Sequence, residues 1–65
     1  MELGERLLRF RARNNLSQRQ LAKLLDENLG SIFRIEKGIV KPHKAHEISI
    51  IMKLDELEAK EGMTE

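Results

Sequence analysis

Apolar residues recur along this chain at helical intervals. Leu3, Leu7 and Phe10 lie four and three residues apart, with Leu8 beside them, which predicts a first helix from about Glu2 to Asn14. Asn14 and Asn15 then supply a stop, because asparagine tolerates the left-handed backbone that ends many helices. Ser17-Gln18-Arg19-Gln20 has the form of a capping box, so a second helix carrying Leu21, Ala22, Leu24 and Leu25 is expected to run to near Asp26. Asn28 is a good N-cap for a third helix, Ile32 and Ile35 mark its inward side, and Gly38 ends it. After Pro42, the spacing of Ala45, Ile48, Ile51 and Met52 predicts a fourth helix. A second capping-box pattern, Asp55-Glu56-Leu57-Glu58, predicts a short fifth helix ending at Gly62. No stretch alternates long enough to make a strand, so the expected fold class is all-α with five short helices.

A length of 65 residues sets the expectation of a single domain, residues 1–62, followed by a frayed tail at 63–65. At 40% hydrophobic residues the chain can build one small core, and no apolar run is long enough to span a bilayer, so no membrane association is expected. The absence of cysteine excludes a disulfide framework and thiolate metal sites. The amino end is acidic and lacks an apolar leader segment, and a cytoplasmic location follows as the expectation. Net charge of +1 hides a polarity. Residues 1–25 hold six basic and two acidic side chains, whereas residues 53–65 hold two basic and five acidic ones. A basic amino-terminal half suits a polyanion, with the acidic end expected to point away from it.

Two helices of about eight residues joined by a three- or four-residue turn are too short to stand alone; together they can hold one rod at a fixed angle on another. Ala22, ten residues before Ile32, is small enough to let them approach. The blocks Leu16-Ser17-Gln18-Arg19-Gln20-Leu21-Ala22, Ile32-Phe33-Arg34-Ile35-Glu36-Lys37-Gly38 and Lys41-Pro42 resemble the Cro/C1-type (XRE-like) helix-turn-helix family over about residues 3 to 57. That resemblance implies a five-helix, lambda-repressor-like domain that binds double-stranded DNA, commonly as a homodimer on a palindromic operator, and regulates transcription. No cofactor is expected.

Helical geometry agrees with this resemblance. At about 100° per residue from Leu29, Phe33, Gly30 and Arg34 fall near 40°, 100° and 140°, while Ile32 and Ile35 fall near 300° and 240°. The isoleucines face inward and the others form the surface a major groove would meet. The expected DNA-binding set is Gln18, Asn28, Leu29, Gly30, Ser31, Phe33, Arg34, Lys37 and Lys41. By resemblance, Gln18 meets phosphate or braces the recognition helix, Asn28 caps that helix, and Lys37 and Lys41 reach the backbone. Arg34 is the residue able to read guanine O6 and N7; the plainer alternative is a surface arginine paired with an acid such as Glu27.

Several positions depart from the family pattern. Leu29 and Gly30 stand where polar residues are usual, so an apolar patch of Leu29 and Phe33 for a protein partner is the competing reading, an antitoxin-like or antirepressor-like adaptor on the same fold. Glu27 replaces an apolar turn residue and either opens the turn or points to water. Ile39, Val40 and Ile50 are the expected dimer seam, with core filling as the alternative. By resemblance, Arg11 pairs with Glu36 in a structural salt bridge. His43 and His46 share a helical face, but no metal is expected without a third ligand. No phosphate-binding glycine loop, carboxylate pair or catalytic triad can be assembled, so an enzyme is not expected.

Overall fold

A computed structural model describes residues 2–61 of the chain, and places them in four α-helices. Helix α1 spans Leu3–Asn14, α2 Gln18–Leu25, α3 Leu29–Lys37 and α4 Lys44–Glu61. The expected frayed tail and the Gly62 helix end lie outside the described residues.

Local sequence signals set the first three helices. Asn15 ends α1 in the left-handed conformation at φ 55°, and its N–H donates to the last carbonyls of the helix. Ser17 accepts from the Gln20 amide at 3.0 Å while the Gln20 side chain accepts from Ser17 N–H at 2.8 Å, closing the capping box that starts α2. Asp26 takes the left-handed position after α2, and the Asn28 side chain accepts from the amides of Gly30 and Ser31 to start α3. Gly38 closes α3 at φ 74°, where any other residue but asparagine or aspartate would be strained.

The fifth helix does not form; α4 instead runs unbroken for 18 residues. A cap at Asp55 needs non-helical backbone, and two features prevent it. Leu54 is fully buried, with Leu57 packed against the same core, so the apolar stripe continues through the proposed break. Arg6 on α1 donates to Asp55 at 2.9 Å and to Glu58 at 2.7 Å, so the acids of the apparent capping box face a cation rather than a helix end. The inward face of α4 also differs from the expected one: Ile50 and Leu54 are buried, whereas Ala45, Ile48 and Met52 are exposed and Ile51 is only partly covered.

Leu7, Leu21, Leu25, Ile32, Ile50 and Leu54, one or two from each helix, form the fully buried centre. Around it α1 and α3 meet most closely: a methyl group at Gly4 would collide with the Ile35 carbonyl. The acidic end of α4 does not point away from the basic half of the chain. It folds onto α1, where Arg13 reaches Glu58 and Glu61, and Asn14 also donates to Glu61. These partners hold the Glu61 carboxyl below the usual carboxylate range, Arg13 contributing most.

Gly4→Ala is expected to cost about 1–3 kcal/mol because the obstruction is backbone and cannot rotate away; urea unfolding measures it, and parental stability would contradict the close approach. The lowered Glu61 carboxyl contributes stability above the unfolded value of 4.5 and loses it as pH falls through the lower folded value. Glu61→Gln should therefore flatten the decline in melting temperature below about pH 4.5.

Candidate nucleic-acid interface

Helix α3 exposes one side and buries the other. Ile32 and Ile35 enter the core, while Leu29, Phe33, Arg34 and Lys37 are exposed and Gly30 and Ser31 are half-covered. Leu29 and Phe33 are 37% and 42% exposed, so neither completes the core, and their apolar surface is open to an incoming surface. The Lys37 ammonium stands 5.7 Å from the centre of the Phe33 ring, a cation–π contact that holds positive charge over the same face.

Arg34 is exposed, and among the described residues no acid pairs with it. Glu27, the acid considered for it, instead meets His46 on α4, with Oε1 2.8 Å from Nε2. Gly30 gives the guanidinium room. A Cβ built there would stand 3.2 Å from Arg34 Nη1 and 3.0 Å from Asn28 Oδ1. Arg34 thus lies back along the first turn of α3 and can swing outward without breaking an ion pair.

The glutamate in the turn neither opens it nor faces water. Its side chain is 12% exposed, and its amide donates to Ala22 O at 2.8 Å, beside the Asp26 amide on Lys23 O at 3.1 Å. The turn is closed by backbone hydrogen bonds, and the polar residue is satisfied by a histidine from across the interface. Lys53 adds a second tie, its ammonium donating to Leu25 O at the carboxyl end of α2. Neither tie from α4 was visible in the residue pattern. His46 shares a helical face with His43, and nothing local in the sequence links it to Glu27, 19 residues before it.

What fixes α3 to the rest is a polar clasp. Arg11 on α1 donates from Nε and Nη2 to the two carboxylate oxygens of Glu36, both at 2.8 Å, and from Nη1 to Leu16 O at 3.2 Å. Gln18, at the first position of α2, donates to Glu36 Oε1 at 3.0 Å. Three helices therefore meet at one carboxylate whose side chain is only 5% exposed. The hydrogen bonds that Arg11 donates to Glu36 raise its guanidinium above the ordinary value, against the opposing effect of desolvation. Gln18 is placed as a brace of α3, and Asn28 as its cap.

The remaining expected positions divide. Lys41, Ile39 and Val40 are exposed in the connection between α3 and α4. Ile50 is 0% exposed at the centre of the monomer, so it fills the core and presents nothing to a second chain. Of the amino-terminal cations, Arg6, Arg11 and Arg13 are held in internal pairs, whereas Arg19 and Lys23 on α2 are exposed. No helix among the described residues is long and apolar enough to cross a membrane.

A family model described as helix-turn-helix matches residues 7–46, from the middle of α1 to the start of α4. No curated protein and no solved structure matches the chain.

Arg11→Ala would strand Glu36 with only Gln18 for a partner and is expected to cost about 3 kcal/mol. Chemical denaturation tests this, and a variant as stable as the parent would show that the clasp is ornamental.

Proposed function

This chain belongs to the Cro/C1-type helix-turn-helix family, and from that membership and the α3 surface we propose that it is a sequence-specific regulator of transcription, acting as a repressor from a homodimer on a palindromic DNA operator. Helix α3 enters the major groove, with the helices of the two copies about 34 Å apart, one turn of the duplex. The observation that carries the reading is Arg34: exposed, unpaired with any acid among the described residues, and on the face opposite Ile32 and Ile35.

Each residue then has a distinct role. Arg34 reads a guanine edge, Leu29 meets a thymine methyl, and Gly30 lets the backbone come close to sugar and phosphate. Lys37, Lys41 and Ser31 neutralise or bond phosphate oxygens and fix the register. Asn28 and Gln18 act indirectly, through the helix cap and the Glu36 clasp. Repression follows from occupancy, since a bound dimer excludes other proteins from its operator.

A second reading is supported by the exposed Leu29 and Phe33, which offer an apolar patch to a protein partner. The two readings differ in salt dependence. Binding to bulk duplex DNA should weaken with a log–log slope near −0.9 per phosphate neutralised, whereas an adaptor should show almost no slope.

Arg34→Ala should lower discrimination at one base pair by about 1–3 kcal/mol and relax the site selected from a random duplex pool. Selection of the same site by variant and parent would remove Arg34 as a base reader.

A further inference from the structure

Helix α4 has two apolar faces, and the fold uses only one. Ile50 and Leu54 face the core. On the opposite side Ala45, Ile48, Met52 and Ala59 are all exposed, with Ile48 at 48% and Met52 at 63%. Their spacing of three, four and seven residues is that of a straight two-column seam, Ala45–Met52–Ala59 beside Ile48–Asp55. The seam from Ala45 to Ala59 is about 21 Å long at 1.5 Å per residue.

We propose that this face pairs with the same face of a second copy of the chain, the two α4 helices running antiparallel. This deepens the homodimeric part of the DNA-binding reading and rests on that reading only for its use. Charge decides both the occupant and the direction. The amino end of the seam carries Lys44, and the carboxyl end carries Asp55 and Glu56. A parallel pair would set lysine against lysine and aspartate against aspartate. An antiparallel pair about a two-fold axis near residue 50 sets Ile48 against the second copy's Met52 and brings Lys44 to its Asp55. Each contact then occurs twice, as an isologous interface requires. Arg6 holds Asp55 through Oδ1, and the side chain remains 61% exposed, so the carboxylate can take a second cation. The acids of the seam repel phosphate, which leaves α3 as the DNA-facing side.

The test is sedimentation equilibrium of the whole chain without DNA. The parent is expected to dimerise with rising concentration, and Ile48→Glu with Met52→Glu to weaken association about ten-fold or more while keeping the parental helical signal, since both positions are exposed. Ile39→Glu, in the loop, should leave it unchanged. Direction is read by cross-linking, because the chain has no cysteine of its own. Under oxidation Ala45→Cys mixed with Asp55→Cys should form a mixed disulfide, whereas Ala45→Cys alone should not, its two copies lying about 15 Å apart. A monomeric parent, a double glutamate variant that still dimerises, or ready homodisulfides at Ala45→Cys would each overturn the proposal. A dimer that ignores duplex DNA would leave the seam standing and overturn the DNA reading; a monomer that binds DNA with the full salt slope would do the reverse.

Discussion

A single carboxylate governs how this molecule presents its surface. Glu36 receives two hydrogen bonds from Arg11 on α1 and one from Gln18 on α2, and it lies at the penultimate position of α3. Helices of eight and nine residues have too few internal hydrogen bonds to persist alone. Packing of Leu21, Leu25 and Ile32 drives them together, but apolar contact is non-directional and tolerates rotation. A planar guanidinium forked onto a carboxylate does not, so the clasp sets the rotation of α3 and with it which residues look outward.

The rest of the polar structure works the same way. Lys53 and His46 of α4 reach back to the end of α2 and to the turn, so the bracket formed by α2 and α3 is tied on both sides. Arg6 and Arg13 of α1 are matched by the acids of α4. Positive charge is thereby consumed where the helices pack and left open on α2, α3 and the following loop, at Arg19, Lys23, Arg34, Lys37 and Lys41. A chain of nearly balanced charge can in this way offer a locally cationic face to a polyanion.

The first three helices were legible because their signals are local: a capping box at Ser17, a cap at Asn28, left-handed stops at Asn15 and Gly38, and a clear division between Ile32 and Phe33. The Arg11–Glu36 pairing followed from family resemblance, and its geometry is bidentate as such a pair favours. Helix α4 was less legible. Apolar residues at 45, 48, 50, 51, 52, 54 and 57 leave its phase ambiguous, so the pattern leaves Ile50 open to a dimer seam or to the core, and its burial selects the core. Asp55-Glu56-Leu57-Glu58 fits both a helix start and a helix interior, and the choice was made by Arg6, which lies 49 residues away from Asp55 in sequence. The charge of each segment is no guide to the surface for a related reason: the basic first helix and the acidic end of α4 fold onto each other.

On the proposed reading, the clasp turns the Leu29–Phe33–Arg34–Lys37 face toward duplex DNA. Backbone amide shifts followed by NMR, as a selected duplex is added to the whole chain, test it most directly. The largest changes should fall on α3 and the start of α2, with the outward side of α4 little affected by the duplex. Changes centred on α4, or none on α3 at saturating duplex, would contradict the account.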